Sequence, residues 1–168
     1  MNNNYSVALA CYNGEDYIAE QLTSIIQQTI PPTQIIICDD CSIDRTNEII
    51  ISFINNYDKI IWKHKINNIN IGLVKNFEQA IQLCDEEIVF LSDQDDVWIK
   101  NKAERMLYEF KCSKKSILFT NAIITDDKLN PIGQTMFEKI GFSKKLQKQF
   151  YEKHYAMFLL LDKCIATG

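Results

Sequence analysis

Apolar residues arrive along this chain in two alternating rhythms. Short unbroken runs, Val7 to Cys11, Ile35 to Cys38, Ile60 to Trp62, Ile88 to Leu91 and Ile117 to Phe119, are rich in β-branched side chains. Runs of this length without polar alternation predict strands covered on both faces. Between them the apolar positions fall at helical spacing: Ile18, Leu22, Ile25 and Ile26; Ile49, Ile50, Phe53 and Ile54; Leu73, Phe77, Ala80, Ile81 and Cys84; Ile99, Ala103, Met106, Leu107 and Phe110. Each set makes one stripe on a helix. Strand and helix alternate four times, which predicts right-handed crossovers building a mostly parallel α/β sheet with helices on both faces. After Phe119 the alternation stops. Asn121 to Met136 reads as extended chain turning at DDKLNPIG, and Lys139 to Met157 as an amphipathic helix with Phe142, Leu146 and Phe150 on one side.

Composition narrows the classes. The 168 residues suit one domain, and 46% hydrophobic with 24% charged residues is a globular balance. A formal net charge of −4 supplies no chain-wide basic field, which argues against a nucleic-acid partner. No apolar run reaches the roughly 20 residues that cross a bilayer, and MNNNYS lacks the basic start and apolar stretch of a signal peptide. The expectation is a cytoplasmic protein whose 6 cysteines stay reduced.

Parallel sheets bind ligands at the carboxyl ends of their strands. Here those ends read CYNGED, CDDCS, WKHKINNINIG and SDQDDVW, so acids and amides gather where a ligand would sit. In SDQDDVW, Asp93, Asp95 and Asp96 crowd three like charges together. A divalent cation such as Mg²⁺ or Mn²⁺ would neutralise them and keep open positions for water and phosphate oxygens. The bland alternative is a solvated turn capping the helix near Trp98. In IIICDDCS, Cys38 and Cys41 stand at C-x-x-C spacing, but a second half-site or a spaced histidine pair is missing, because His64 and His154 stand alone. Two aspartates between the sulfurs also disfavour a redox thiolate. Asp39 and Asp40 are better placed to accept from a nucleobase N–H or a ribose hydroxyl, with helix capping by Asp39 as the alternative.

The ordered blocks VALACYNGEDYIAEQLTSIIQQT, IIICDDCSIDRT, NIGLVKNFEQAI and FLSDQDDVW resemble the N-terminal half of a family-two glycosyltransferase with the GT-A type, Rossmann-like fold. SDQDDVW is similar to the rhamnosyltransferase-like branch, whose members build surface polysaccharide. The resemblance implies a donor-binding half over residues 1–120 and an incomplete acceptor-side half over 121–168. It implies that Tyr12 stacks on the pyrimidine of a UDP- or dTDP-sugar and that Asp40 accepts from the base N–H. Asp93 would face the ribose or a metal-bound water, and Asp95 would coordinate the Mg²⁺ or Mn²⁺ that bridges the phosphates. Lys75, standing where the family often has arginine, would contact the donor.

The implied reaction is transfer with inversion to a saccharide or lipid-linked acceptor. Its general base, in the family, lies downstream of the segment resembling Lys163 to Gly168. Asp126, Asp127, Glu138, Glu152 and Asp162 are the late carboxylates, and none stands in a context resembling that base. Two readings follow: a glycosyltransferase domain, or a truncated, catalytically silent nucleotide-sugar-binding fragment whose uncovered apolar surface favours self-association. Lys144, Lys145, Lys148 and Lys153 could further lie on an anionic membrane surface, a solvated helix face being the alternative. A flavodoxin-like or response-regulator-like module is a third reading, opposed by the lack of a flavin phosphate loop.

Overall fold

The structure, a computed structural model, describes residues 3–113 and 116–153. Two compact units divide the chain, one up to Ile117 and one from Leu118.

The first unit alternates β1 (Ser6–Cys11), α1 (Ile18–Ile26), β2 (Gln34–Asp39), α2 (Thr46–Asn56), β3 (Ile61–Ile66), α3 (Leu73–Gln82), β4 (Val89–Asp93) and α4 (Lys102–Ser113). The strands form one parallel sheet in the order β3-β2-β1-β4. β1 and β2 are buried throughout, as their unbroken apolar runs require. Because strand side chains alternate, Val7, Leu9, Ile35, Ile37 and Phe90 pack on one face with Ile18, Leu22, Ile25, Ile50 and Leu107 from α1, α2 and α4. Ala8, Ile36 and Cys38 face the other way, toward Ala80 of α3. Helices therefore cover both faces, three against one. Full burial of Ile18, Leu22 and Ile25 contributes about 1.5–3 kcal/mol each before entropy.

Four sequence expectations need correction. Ile117 to Phe119 is not a strand, and Ile117 is mostly exposed. Three apolar residues alone cannot secure a ladder, and among the described residues nothing pairs with the outer side of β4. β3 is not covered on both faces: it is an edge strand that runs on through the polar stretch to Ile66. On α3 the buried positions are Asn76 and Ala80, while Leu73 and Ile81 are exposed. The stripe was misread because Asn76 goes inward as a hydrogen-bonding residue, its Nδ2 donating to the Cys38 carbonyl at 2.7 Å. On α4 the helix starts at Lys102, leaving Ile99 exposed before it.

The second unit opens with a hairpin of β5 (Ile123–Thr125) and β6 (Pro131–Thr135), joined at the expected turn. Asp126 closes that turn by accepting from the backbone N–H groups of Lys128 and Asn130. Thr135 and Glu138 form a capping box that starts the short α5 (Met136–Lys139). The helix expected over 139–157 is interrupted: Lys139 ends α5, Gly141 takes φ +69°, and α6 (Lys144–Lys153) begins afresh. Phe142, expected on the helix stripe, lies between the two helices with its ring 5.0 Å from Phe137 and 6.0 Å from Phe119. The expected end at Met157, together with His154, Asp162, Cys164 and Lys163 to Gly168, lies outside the described residues.

Candidate functional site

Register fixes where the functional side chains emerge. Cys11 pairs with Asp39, Ala10 with Asp93, and Asp39 with Ile66, so β1, β2, β3 and β4 all end along one edge of the sheet. β1 leads outward to β2 and β3, whereas β4 returns to its other side. That reversal opens a crevice at the ends of β1 and β4. A cavity of about 250 Å³ occupies it, lined chiefly by Tyr12, Asp40, Asn70, Asn76, Asp93 and Gln94.

The two aspartates of CDDC take different tasks. Asp39 is fully buried, accepting from the Ser42 N–H at 3.1 Å and from Asn47 Nδ2 at 2.8 Å, so it organises the loop leading into α2. Asp40 borders the cavity. Its Oδ1 accepts from Asn67 Nδ2 and the Ile71 N–H, both at 2.9 Å, and its Oδ2 from the Gly72 N–H at 2.8 Å. Burial raises this carboxyl, but the three donors outweigh it and hold the group below its ordinary range. Gly72 takes φ +85°, which a side-chain-bearing residue adopts only with strain. A carboxylate offers about four acceptor positions, so roughly one of Asp40 is left for a ligand.

The acidic turn after β4 lacks such compensation. Burial pushes Asp93 up, against one N–H from Gln94, and Asp95 pushes it further. Asp96 rises to about 6 by burial, with Lys102 opposing and Asp95 and Asp93 adding to the rise. Lys102 is pushed down to about 8 by burial, while Asp96 raises it. Its Nζ lies 4.4 Å from the centre of the buried Trp98 ring. The turn does not cap a helix directly, since α4 begins only at Lys102.

This turn suits a divalent cation by its charge. The carboxyls of Asp93 and Asp96 are held above their usual range, first by burial and then by their acidic neighbours, so a cation beside them would relieve a cost that Lys102 offsets only in part. Among the described residues no three His, Cys, Asp or Glu side chains are grouped to cage a metal. A cation would thus have one or two carboxylate ligands, Asp93 and Asp95, and keep the remaining positions open, as Mg²⁺ and Mn²⁺ do.

Of the residues singled out in the sequence, Tyr12, Asp40 and Asp93 come together around the cavity. Asp95 is exposed two residues beyond Asp93, and Lys75 is exposed on the first turn of α3, neither among the lining residues. Gln94, Asn70 and Asn76 line the cavity and were missed, because amides carry no charge signal; their position at strand ends and beside Gly72 was the available clue. Cys38 is buried toward α3 with its thiol pushed up to about 11 by burial, and Cys41 Sγ contacts the Asn68 carbonyl. Both are free thiols, so the C-x-x-C spacing marks no bridge.

Across residues 6–160 the sequence matches the model of Glycosyl transferase family 2. The chain belongs to that family. The flavodoxin-like and response-regulator-like readings fall with it. This family-2 chain is 40% identical over 102 residues to RfbG of Shigella flexneri, a dTDP-rhamnosyl transferase, covering 59% of this chain and 35% of that protein. It is 25% identical over 144 residues to WfgD of Escherichia coli, named as a UDP-Glc:alpha-D-GlcNAc-diphosphoundecaprenol beta-1,3-glucosyltransferase, covering 84% and 54%. The crystal structure of S. aureus TarS 1-349 in complex with UDP superposes with a TM-score of 0.66 at 27% identity, covering 80% of this chain and 39% of that one. The fold is the GT-A type of glycosyltransferases. The chain spans about a third to a half of the length of these relatives.

Proposed function

We propose that this chain is the nucleotide-sugar-binding half of a glycosyltransferase that takes a sugar from a UDP- or dTDP-sugar, held with Mg²⁺ or Mn²⁺, and passes it with inversion to a saccharide or lipid-linked acceptor. The observation that carries this reading is the cavity at the β1/β4 reversal, where Tyr12, Asp40 and Asp93 meet in a family-2 chain. Tyr12, about half exposed at the rim, offers a ring face on which a pyrimidine stacks. The free acceptor position of Asp40 takes the base imide N–H. Asp93 and Asp95 hold the cation, and Lys75 reaches the donor from α3. When bound, the cation supplies Lewis-acid stabilisation of charge developing on the diphosphate.

Residues 1–120 form the donor half in this proposal, and residues from 121 begin the acceptor side. The enzyme works in the cytoplasm at the inner membrane face, where Lys144, Lys145 and Lys148 of α6 meet anionic lipid. Among the described residues, no helix is long and apolar enough to cross a membrane.

A second reading, donor binding without transfer, is favoured by the engagement of two late carboxylates in local structure. Asp126 closes the hairpin turn and Glu138 accepts from Thr135 in its capping box, so neither is free to act as general base. Exposed Ile61, Ile66 and Val74 would then favour self-association. Calorimetric titration with UDP and dTDP, with and without Mn²⁺, tests donor binding; absent binding would overturn both readings, and metal-independent binding would overturn the cation's role. Release of free sugar, or transfer to an acceptor, would support the enzyme reading alone.

A further inference from the structure

Gln94 makes a pair of contacts that neither the acidic turn nor the cavity lining requires. Its Oε1 accepts from the Tyr12 N–H at 2.8 Å, and its Nε2 donates to the Tyr12 carbonyl at 3.1 Å. One side-chain amide thus meets both backbone groups of a single residue. Tyr12 and Gln94 are the first residues past the ends of β1 and β4; since Ala10 pairs with Asp93, the register would set Gln94 beside Cys11, and its side chain reaches one residue further along. A side chain thus holds the backbone just past the point where the ladder ends.

Gly14 makes this contact sterically possible. A Cβ at that position would stand 2.4 Å from Gln94 Oε1 and 2.7 Å from its Cδ, far inside contact distance. The backbone of Gly14 is outside the left-handed region, so alanine is permitted there by conformation and is opposed only by the Gln94 side chain. Gln94 is also the residue between Asp93 and Asp95, so its grip on Tyr12 joins the cation-binding turn to the residue offered to the base.

We propose that Gln94 is a positioning residue, whose amide clamps the Tyr12 backbone and sets the ring at the cavity rim for the nucleobase, and that Gly14 is glycine to admit that clamp. The functional half of this proposal rests on the donor reading given above; the clamp itself does not. Loss of two neutral hydrogen bonds that order the stacking residue should weaken UDP binding by about tenfold in Gln94→Ala. Gly14→Ala should do the same by displacing the flexible amide, with little change in thermal midpoint. Because both act through one contact, Gly14→Ala should have almost no effect in a Gln94→Ala background.

The test measures UDP and inorganic pyrophosphate binding with Mn²⁺, and residue-level amide exchange at Tyr12, in wild type, both single variants and the double. The proposal expects weaker UDP binding, pyrophosphate binding within about twofold of wild type, faster Tyr12 exchange in each variant, and a double variant no worse than Gln94→Ala. Additive losses, equal losses for UDP and pyrophosphate, or unchanged Tyr12 exchange would overturn it. If the wild-type chain binds no nucleotide, the donor reading fails, and the clamp is then decided by Tyr12 exchange alone: faster and non-additive upholds it, unchanged refutes it.

Discussion

Asp40 and Asp93 border one cavity from neighbouring parts of the sheet edge, yet the chain surrounds their carboxylates differently. Asp40 receives three N–H donors from Asn67, Ile71 and Gly72 and is held below its usual range despite burial. Asp93 receives one, and burial together with Asp95 holds it above that range; Asp96, next along, rises to about 6. A carboxylate satisfied by the chain fixes a loop. One left short of partners is costlier to ionise and gains most from a partner that the chain does not supply. The two sides of the cavity differ in the same way, with a loop over residues 67–72 tied to Asp40 and an acidic turn over 93–96 that has fewer donors.

The contrast breaks most visibly at Asp40. Asp40→Ala would remove three hydrogen bonds, leaving the Ile71 N–H without its acceptor while Gly72 and Asn67 keep Asn70 and Asn76, a loss of about 2 kcal/mol in urea unfolding. Because the folded carboxyl is more acidic than the unfolded one, its contribution is present above about pH 4 and fades as pH falls through the folded value. The gap between wild type and variant should therefore close in acid. An unchanged unfolding midpoint at pH 7 would show that the loop does not depend on this carboxylate.

The acidic turn should respond to metal where the Asp40 loop does not. With Mn²⁺ at about a hundredfold over its dissociation constant, stability at pH 7 should rise by about 2.7 kcal/mol. The gain should shrink at pH 5, since Asp96, with its carboxyl near 6, is then mostly protonated and Asp93 is shifted the same way. Equal stabilisation at both pH values would place the metal elsewhere. The smallest effect belongs to the sulfurs. Cys38→Ser with Cys41→Ser should leave UDP affinity within about twofold, as expected for thiols that hold no ligand, and a bound zinc lost in that variant would reverse the assignment.

The sheet was legible because β1 and β2 are buried on both faces and so had to be written as unbroken apolar runs. β3 was read short because an edge strand tolerates Lys63, His64 and Lys65. The cavity lining was legible where strand ends carry acids, at Asp40 and Asp93, and at Tyr12 through the resemblance of the surrounding blocks. It was illegible where neutral amides work. Asn76 interrupts an apolar stripe without announcing that it is buried, and the pairing of Gln94 with Tyr12 joins residues 82 positions apart. The interruption at Gly141 was also missed, because a lysine-rich stretch with helical spacing hides a single residue at positive φ.

The central claim is that the acidic turn binds a nucleotide diphosphate through a cation. Calorimetric titration of UDP into wild type and Asp95→Ala, each with and without Mn²⁺, tests it most directly. The account predicts metal-dependent binding in wild type, a loss of about a hundredfold or more in Asp95→Ala, and the same unfolding midpoint for both chains in the absence of metal. Equal affinity of the two chains for UDP in the presence of Mn²⁺ would contradict it.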